Sequence, residues 1–254
     1  MEENKNENVD QEPNTTTEQT NQAEQDNTST QTSQTEENKE QTKSDGELKK
    51  EAAETFKQTK EQIKNMNIKE EAQKGKGLLG KLFKEPIGTI KEIVDDDKNQ
   101  FYKTAIFIVG VWVAIILIKQ ILNVLMYEYY TFSLLGTIKS VISPILKVLV
   151  MAIIIHLLNK ENKQPLTKSI TAVAVAKIPL VISTFLGLLT FISSRMTLII
   201  NPISSLLSVI STILMYFVIK EMFKEKEDSI KAFIKVEVVY YIAVFVFSFL
   251  GISI

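Results

Sequence analysis

The sequence predicts an all-α, polytopic membrane protein, a bundle of five transmembrane helices with a disordered N-terminal arm. Three observations carry the prediction. The run from Met196 to Ile219 holds no charged residue, and its length suffices for a helix to cross a bilayer, which takes about 20 residues. Four other apolar runs share residues 101–254 with it, separated by four short loops, two of them lysine-rich. Residues 1–46 have no aromatic residue and, after Met1, one aliphatic side chain larger than Ala, Val9.

Charge divides the chain further. Residues 1–46 carry a net charge of −9, residues 47–100 a net +1, and residues 101–254 a net +7. Three regions follow: an acidic polar tail at 1–46, a helical, amphipathic, membrane-proximal segment at 47–100, and a transmembrane domain at 101–254. A basic membrane part behind an acidic tail favours a lipid bilayer over nucleic acid as partner. The opening MEENKNENVD lacks the basic stretch and apolar run of a signal peptide.

The tail is mostly Glu, Gln, Asn, Thr and Ser. It has too little apolar surface to offset the entropy of ordering, so a solvated spacer is expected. Through residues 47–74, Leu48, Ala52, Phe56, Ile63 and Met66 recur at helical spacing among interleaved Glu and Lys. A solvent-exposed helix or a short coiled coil fits. Gly75, Gly77 and Gly80 match G-x-G-x-x-G, but no strand precedes them and lysines surround them. The pattern reads as a flexible joint between helices rather than a phosphate loop.

From Leu79 the spacing sharpens. Leu79, Phe83, Ile87, Ile90 and Val94 fall on one helical face, and Lys76, Lys81, Lys84 and Lys91 cluster beside it. Pro86 interrupts or restarts the helix. A basic amphipathic segment before a span is expected to lie at the bilayer surface, with Lys76–Lys91 against anionic lipid head groups. The competing expectation is a helix packed on the protein's own loops.

The five spans are expected near 102–125, 138–158, 169–192, 197–219 and 232–253. The first carries Gly110 and Ala114, small residues spaced for close helix approach. The second holds Lys139, Pro144 and Lys147 and could instead be re-entrant. Loops 159–168 and 220–231 are lysine-rich, whereas loop 126–137 has no Lys or Arg and loop 193–196 only Arg195. The positive-inside rule therefore places the N-terminus in the cytoplasm and the C-terminus outside, in a multi-pass protein of the cell membrane.

Lys147, Lys177, Lys235 and Glu237 fall within the expected spans. Ionisable groups at such depth usually face a protein interior or water. Lys177 and Glu237 each follow a Ser-Ile pair by eight residues, at Ser169 and Ser229. They should reach similar depth from the same face and are expected to approach as an intramembrane pair across the third and fifth spans. Pro144, Pro179 and Pro202 are expected to kink the second, third and fourth spans. Pro144-Ile145 recurs as Pro202-Ile203, and Ser169-Ile170-Thr171-Ala172 as Ser229-Ile230-Lys231-Ala232. A parallel repeat of two hairpins would explain both recurrences.

The composition also excludes chemistry. Without Cys there is no disulfide, thiolate site or thiol nucleophile, and with His156 alone there is no multi-His metal site. No catalytic, cofactor-binding or metal-binding residues are identified, no cofactor is implied, and the chain is not expected to be an enzyme.

The proline-bearing segment KLFKEPIGTIKEIVDDDKN leads into five apolar runs. The third is Ala-rich with a central proline, ITAVAVAKIPLVISTFLGLL, and the last hairpin carries a charged loop, KEMFKEKEDSIKAFIKVEVVYYI. Residues 79–254 resemble the Yip-one domain family of Ypt-interacting five-helix membrane proteins. Heavy use of Lys, Asn and Ile points to its bacterial branch. The resemblance implies a non-enzymatic role in membrane organisation, or as a scaffold, with a protein partner of unknown identity on the cytoplasmic arm. The eukaryotic members' binding of Rab-type GTPases does not carry over to a bacterial chain. The competing function is a small transporter or channel-like subunit using the polar residues of kinked helices.

Overall fold

The computed structural model describes residue 46 and residues 49–127, 132–159, 164–224 and 228–249. The chain divides into two units, Met1–Glu47 and Leu48–Ile254. The arm expected to be disordered lies, but for Gly46, outside the described residues. The second unit is helical throughout its described residues, apart from short connections.

Helix α1 covers residues 49–64. Helix α2 (Ile68–Lys84) starts at Asn67, whose side chain accepts from the Glu70 N–H. It runs unbroken through Gly75, Gly77 and Gly80, so the expected joint is absent. A helical glycine costs about 1 kcal/mol relative to Ala, and burial of Leu78 and Leu82 offsets it. Gly75 lies against α4, where an added Cβ would meet Phe107 and Thr104 at 3.9 Å. The joint falls instead at Glu85–Pro86, where α3 (Pro86–Val94) begins with proline in its first turn.

The spans are α4 (Tyr102–Met126), α5 (Leu134–Leu158), the pair α6 (Leu166–Ala176) and α7 (Ile178–Leu186), α8 (Met196–Phe223) and α9 (Ser229–Phe249). A 3₁₀ turn, Gly187–Phe191, extends α7. Four of these helices are individually long and apolar enough to cross a membrane, and α6 with α7 and its 3₁₀ extension passes the same test as a pair bent by 41°, giving up to five. The protein is therefore an integral membrane protein. Outward side chains such as Leu117, Ile118, Ile121, Leu198, Leu206 and Phe245 are exposed on the bundle, as lipid-facing positions require.

Helix α6 forms the centre. All eleven of its residues are buried, including Thr167, Lys168, Ser169 and Thr171. Its alanines and valines let α4, α5, α3 and α8 close around it. Helix α9 is peripheral, with only Ala232 and Val236 fully buried, and it packs on α5 and α8. Gly110 and Ala114 face outward and an added Cβ at Gly110 would meet nothing. The close approach expected there does not occur, because α4 turns Ala105, Ile108, Trp112 and Ile115 inward instead.

Polar contacts tie the spans together. Trp112 Nε1 donates to Thr184 Oγ1 at 3.0 Å, joining α4 to α7. Gln120 Nε2 donates to Ser140 Oγ at 3.1 Å, joining α4 to α5. Such bonds between membrane helices contribute about 0.6 kcal/mol on average.

The N-terminal helices sit at one end of the bundle, where α4 begins, α5 ends, α6 begins and α8 ends. Thr104 Oγ1 donates to the buried Glu71 carboxylate at 2.7 Å. Lys168 pairs with Asp97 at 3.1 Å and Lys224 with Asp95 at 3.3 Å. The stripe from Leu79 to Val94 divides between two surroundings. Ile90, Ile93 and Val94 are at most 1 % exposed, where α3 meets α6 and α8. Phe83 and Ile87 remain exposed. On α2's outer surface Lys74 pairs with Glu70 at 2.6 Å. That hydrogen bond, with the ammonium's charge, holds the Glu70 carboxyl below its usual range.

Candidate functional site

Why α6 stops where it does follows from Pro179. Proline has no N–H, so it cannot bond the carbonyl four residues back, that of Val175. The next amide, Leu180 N–H, bonds Lys177 O at 2.9 Å instead of reaching Ala176 O. Lys177 N–H takes up Val175 O, and Ala176 O is left without its partner four residues on. Ser211 Oγ of α8 donates to Ala176 O at 2.9 Å, in a fully buried contact. A broken helix in hydrocarbon requires such rescue. Ser211→Ala should therefore destabilise the protein by about 1–3 kcal/mol, read by unfolding in mixed detergent. Thr212→Ala, one residue on and exposed, serves as the control.

Lys177 occupies the break, as C-cap of α6 and N-cap of α7. Its cation stands at the electronegative end of α6, a favourable place for positive charge. Glu237 on α9 attracts it, and Lys147 on α5 repels it. No salt bridge joins Lys177 to Glu237 among the described residues; their charges interact through space. The third and fifth spans do not share a principal interface, because α5 and α8 each pack on both α6 and α9. Lys147, three residues beyond the buried Pro144, brings a second cation to the same region. Lys235, two residues before Glu237 on α9, is exposed.

The three prolines differ. Only Pro179 coincides with a helix break; α5 and α8 run on as helices through Pro144 and Pro202. The proposed repeat diverges at the same place. Val239 stands where its alignment would put a counterpart of Pro179, and α9 runs through unbroken.

A second polar group lies where α6 begins. The N-cap residue is Pro165, which has no side-chain oxygen to offer the orphan amides of the first turn. Glu51 of α1 supplies one. Its Oε1 accepts from Leu166 N–H at 2.7 Å, and its Oε2 lies 3.0 Å from His156 Nε2. Nearby ends are also capped at distance, with Asn159 Nδ2 donating to Met222 O at 2.9 Å. Sequence reading missed Glu51, one of many glutamates in a polar stretch. The signal that could have found it is the proline at an N-cap, which demands an acceptor from elsewhere. His156, near the C-terminal end of α5, is held by α1 through this contact.

Among the described residues no three of His, Asp and Glu are grouped to hold a metal ion. The chain matches no protein-family model, no curated protein and no solved structure, so its resemblance to the Yip-one family rests on the residues of 79–254 alone.

Proposed function

We propose that the chain is a non-enzymatic protein of the cell membrane that organises the bilayer surface in the manner of the Yip-one family. Its N-terminal helices lie in the cytoplasm and its C-terminus outside. One observation carries the reading. Helices α2 and α3 are anchored on the spans by the Glu71–Thr104 hydrogen bond and the burial of Ile90, Ile93 and Val94. The same helices leave Phe83 and Ile87 exposed amid Lys76, Lys84 and Lys91. A rigidly held surface with apolar side chains and flanking cations suits the head-group region of an anionic leaflet. The lysine-rich loops at that end support the orientation.

The absence of Cys allows clean single-Cys probes. A nitroxide at Phe83→Cys, in protein reconstituted in phosphatidylglycerol liposomes, should be more accessible to oxygen than to an aqueous relaxation agent. The same label at the exposed Lys98 position should show the reverse. Aqueous behaviour at both sites would overturn the reading. Orientation is tested separately. Ser194→Cys, in the short loop between the third and fourth spans, should react with an impermeant thiol reagent in intact cells, and Asn162→Cys should not.

The charged break favours a second reading, a small transporter or channel-like subunit, because discontinuous helices with buried charge line many transport sites. Anion flux through liposomes containing the purified protein, abolished by Lys177→Met, would select it over the first.

A further inference from the structure

Helix α1 has little apolar hold on the bundle. Phe56 and Ile63, its largest apolar residues, are exposed by 73 % and 57 %. Of its side chains only Thr55 is buried. Its attachments are polar: Glu51 on Leu166 N–H and His156, and the Thr59 hydroxyl on the Tyr102 hydroxyl. The carboxylate is thus the main tie between α1 and the central helix. It occupies the positive end of a buried eleven-residue helix, a place that attracts anions generally.

The carboxylate leaves this place incompletely satisfied. Both of its oxygens are engaged, one on the backbone amide and one at the imidazole. Thr167, on the same first turn of α6, is 4 % exposed and its hydroxyl has no partner among the described residues. Buried hydroxyls are seldom left unpartnered, and each costs free energy. A tetrahedral anion has more acceptor oxygens than a carboxylate and could engage the amide, the imidazole and this hydroxyl together.

We infer that Glu51 is an internal ligand in an anion seat formed by the α6 N-terminus, His156 and Thr167, and that a phosphate group competes for the seat and releases α1. The inference goes beyond the surface role proposed above and uses none of its residues. Competition follows from mutual exclusion, since two anions cannot share one helix terminus and one imidazole. Release of α1 would put Phe56 and Ile63, already exposed on the docked helix, on a free segment, linking anion occupancy to what the N-terminal helices can reach.

The test uses the full chain in detergent with a nitroxide at Ala53→Cys, an exposed position on α1. Inorganic phosphate and a short-chain phosphatidylglycerol are titrated separately. Chloride at matched ionic strength and a short-chain phosphatidylcholine are the controls. Phosphate or phosphatidylglycerol should mobilise the label where the controls do not. Mobilisation by inorganic phosphate identifies a free phosphate as a sufficient ligand; mobilisation by phosphatidylglycerol alone identifies a lipid head group. In Glu51→Gln the label should be mobile from the outset. If α1 is docked about nine-tenths of the time, phosphate should bind this variant roughly tenfold more tightly, because an occluded site loses apparent affinity by its closed fraction. Thr167→Val should keep α1 docked and weaken the phosphate response. Equal mobilisation by phosphate and chloride, or no response to either phosphate compound, would overturn the inference. So would a Glu51→Gln protein of unchanged melting temperature whose label stays immobile.

Discussion

Lys147→Met is expected to leave the protein as stable or more stable in mixed detergent, whereas Lys177→Met should destabilise it. The opposite signs follow from the charges gathered near the break of the third span. Lys177 is attracted by Glu237 and repelled by Lys147. Removing Lys147 relieves the repulsion and leaves the opposite pair intact. Removing Lys177 takes from Glu237 the opposite charge that attracts it, in a span where lone carboxylates are costly. Groups coupled through space typically show interaction energies of about 0.5–3 kcal/mol in double-mutant cycles. Lys177→Met with Glu237→Gln should accordingly cost less than the sum of the single changes. Strict additivity, or equal destabilisation by both lysine changes, would remove the electrostatic account and leave the residues as independent snorkelling groups.

Ile90→Ala should cost about 2–5 kcal/mol, the usual range for deleting a fully buried isoleucine side chain. Phe83→Ala, seven residues earlier on the face read from sequence, should change stability by no more than about 0.5 kcal/mol. Ile90 is 0 % exposed and Phe83 is 54 % exposed. Chemical unfolding of both variants in detergent makes the comparison. Comparable losses would mean that α2 and α3 pack as one continuous apolar face, without the division at Glu85–Pro86.

That division shows where sequence reading stops. Spacing marks Leu79 to Val94 as one face, because each step of three or four residues keeps a straight helix in phase. Pro86 restarts the helix, and the restart turns Ile90 and Val94 to the protein while Phe83 stays outside. Periodicity describes a helix about its own axis and carries no information on which neighbour fills each side. The glycines of α2 show the same gap. Local propensity favours a joint at Gly75–Gly80, yet packing through Leu78 and Leu82 holds a continuous helix. The small pair Gly110 and Ala114 was legible as a pair, but its direction was set by which side of α4 carries Ala105, Ile108 and Trp112.

What the sequence by itself determined is the class of the protein and where its apolar segments lie. Apolar length against bilayer thickness is a one-dimensional constraint, met segment by segment. The third span was also located with its proline, since a missing N–H is a local property of Pro179. The tertiary structure alone decided that this span is the buried centre of the bundle. It decided too that Ser211 satisfies the carbonyl freed by the break, that Lys147 joins Lys177 and Glu237, and that Glu51 reaches Leu166 across more than a hundred residues. These are meetings between groups far apart in the chain, and the physical reason is common to all. A buried amide, carbonyl or charge must find a partner, but the partner's identity depends on how the helices pack.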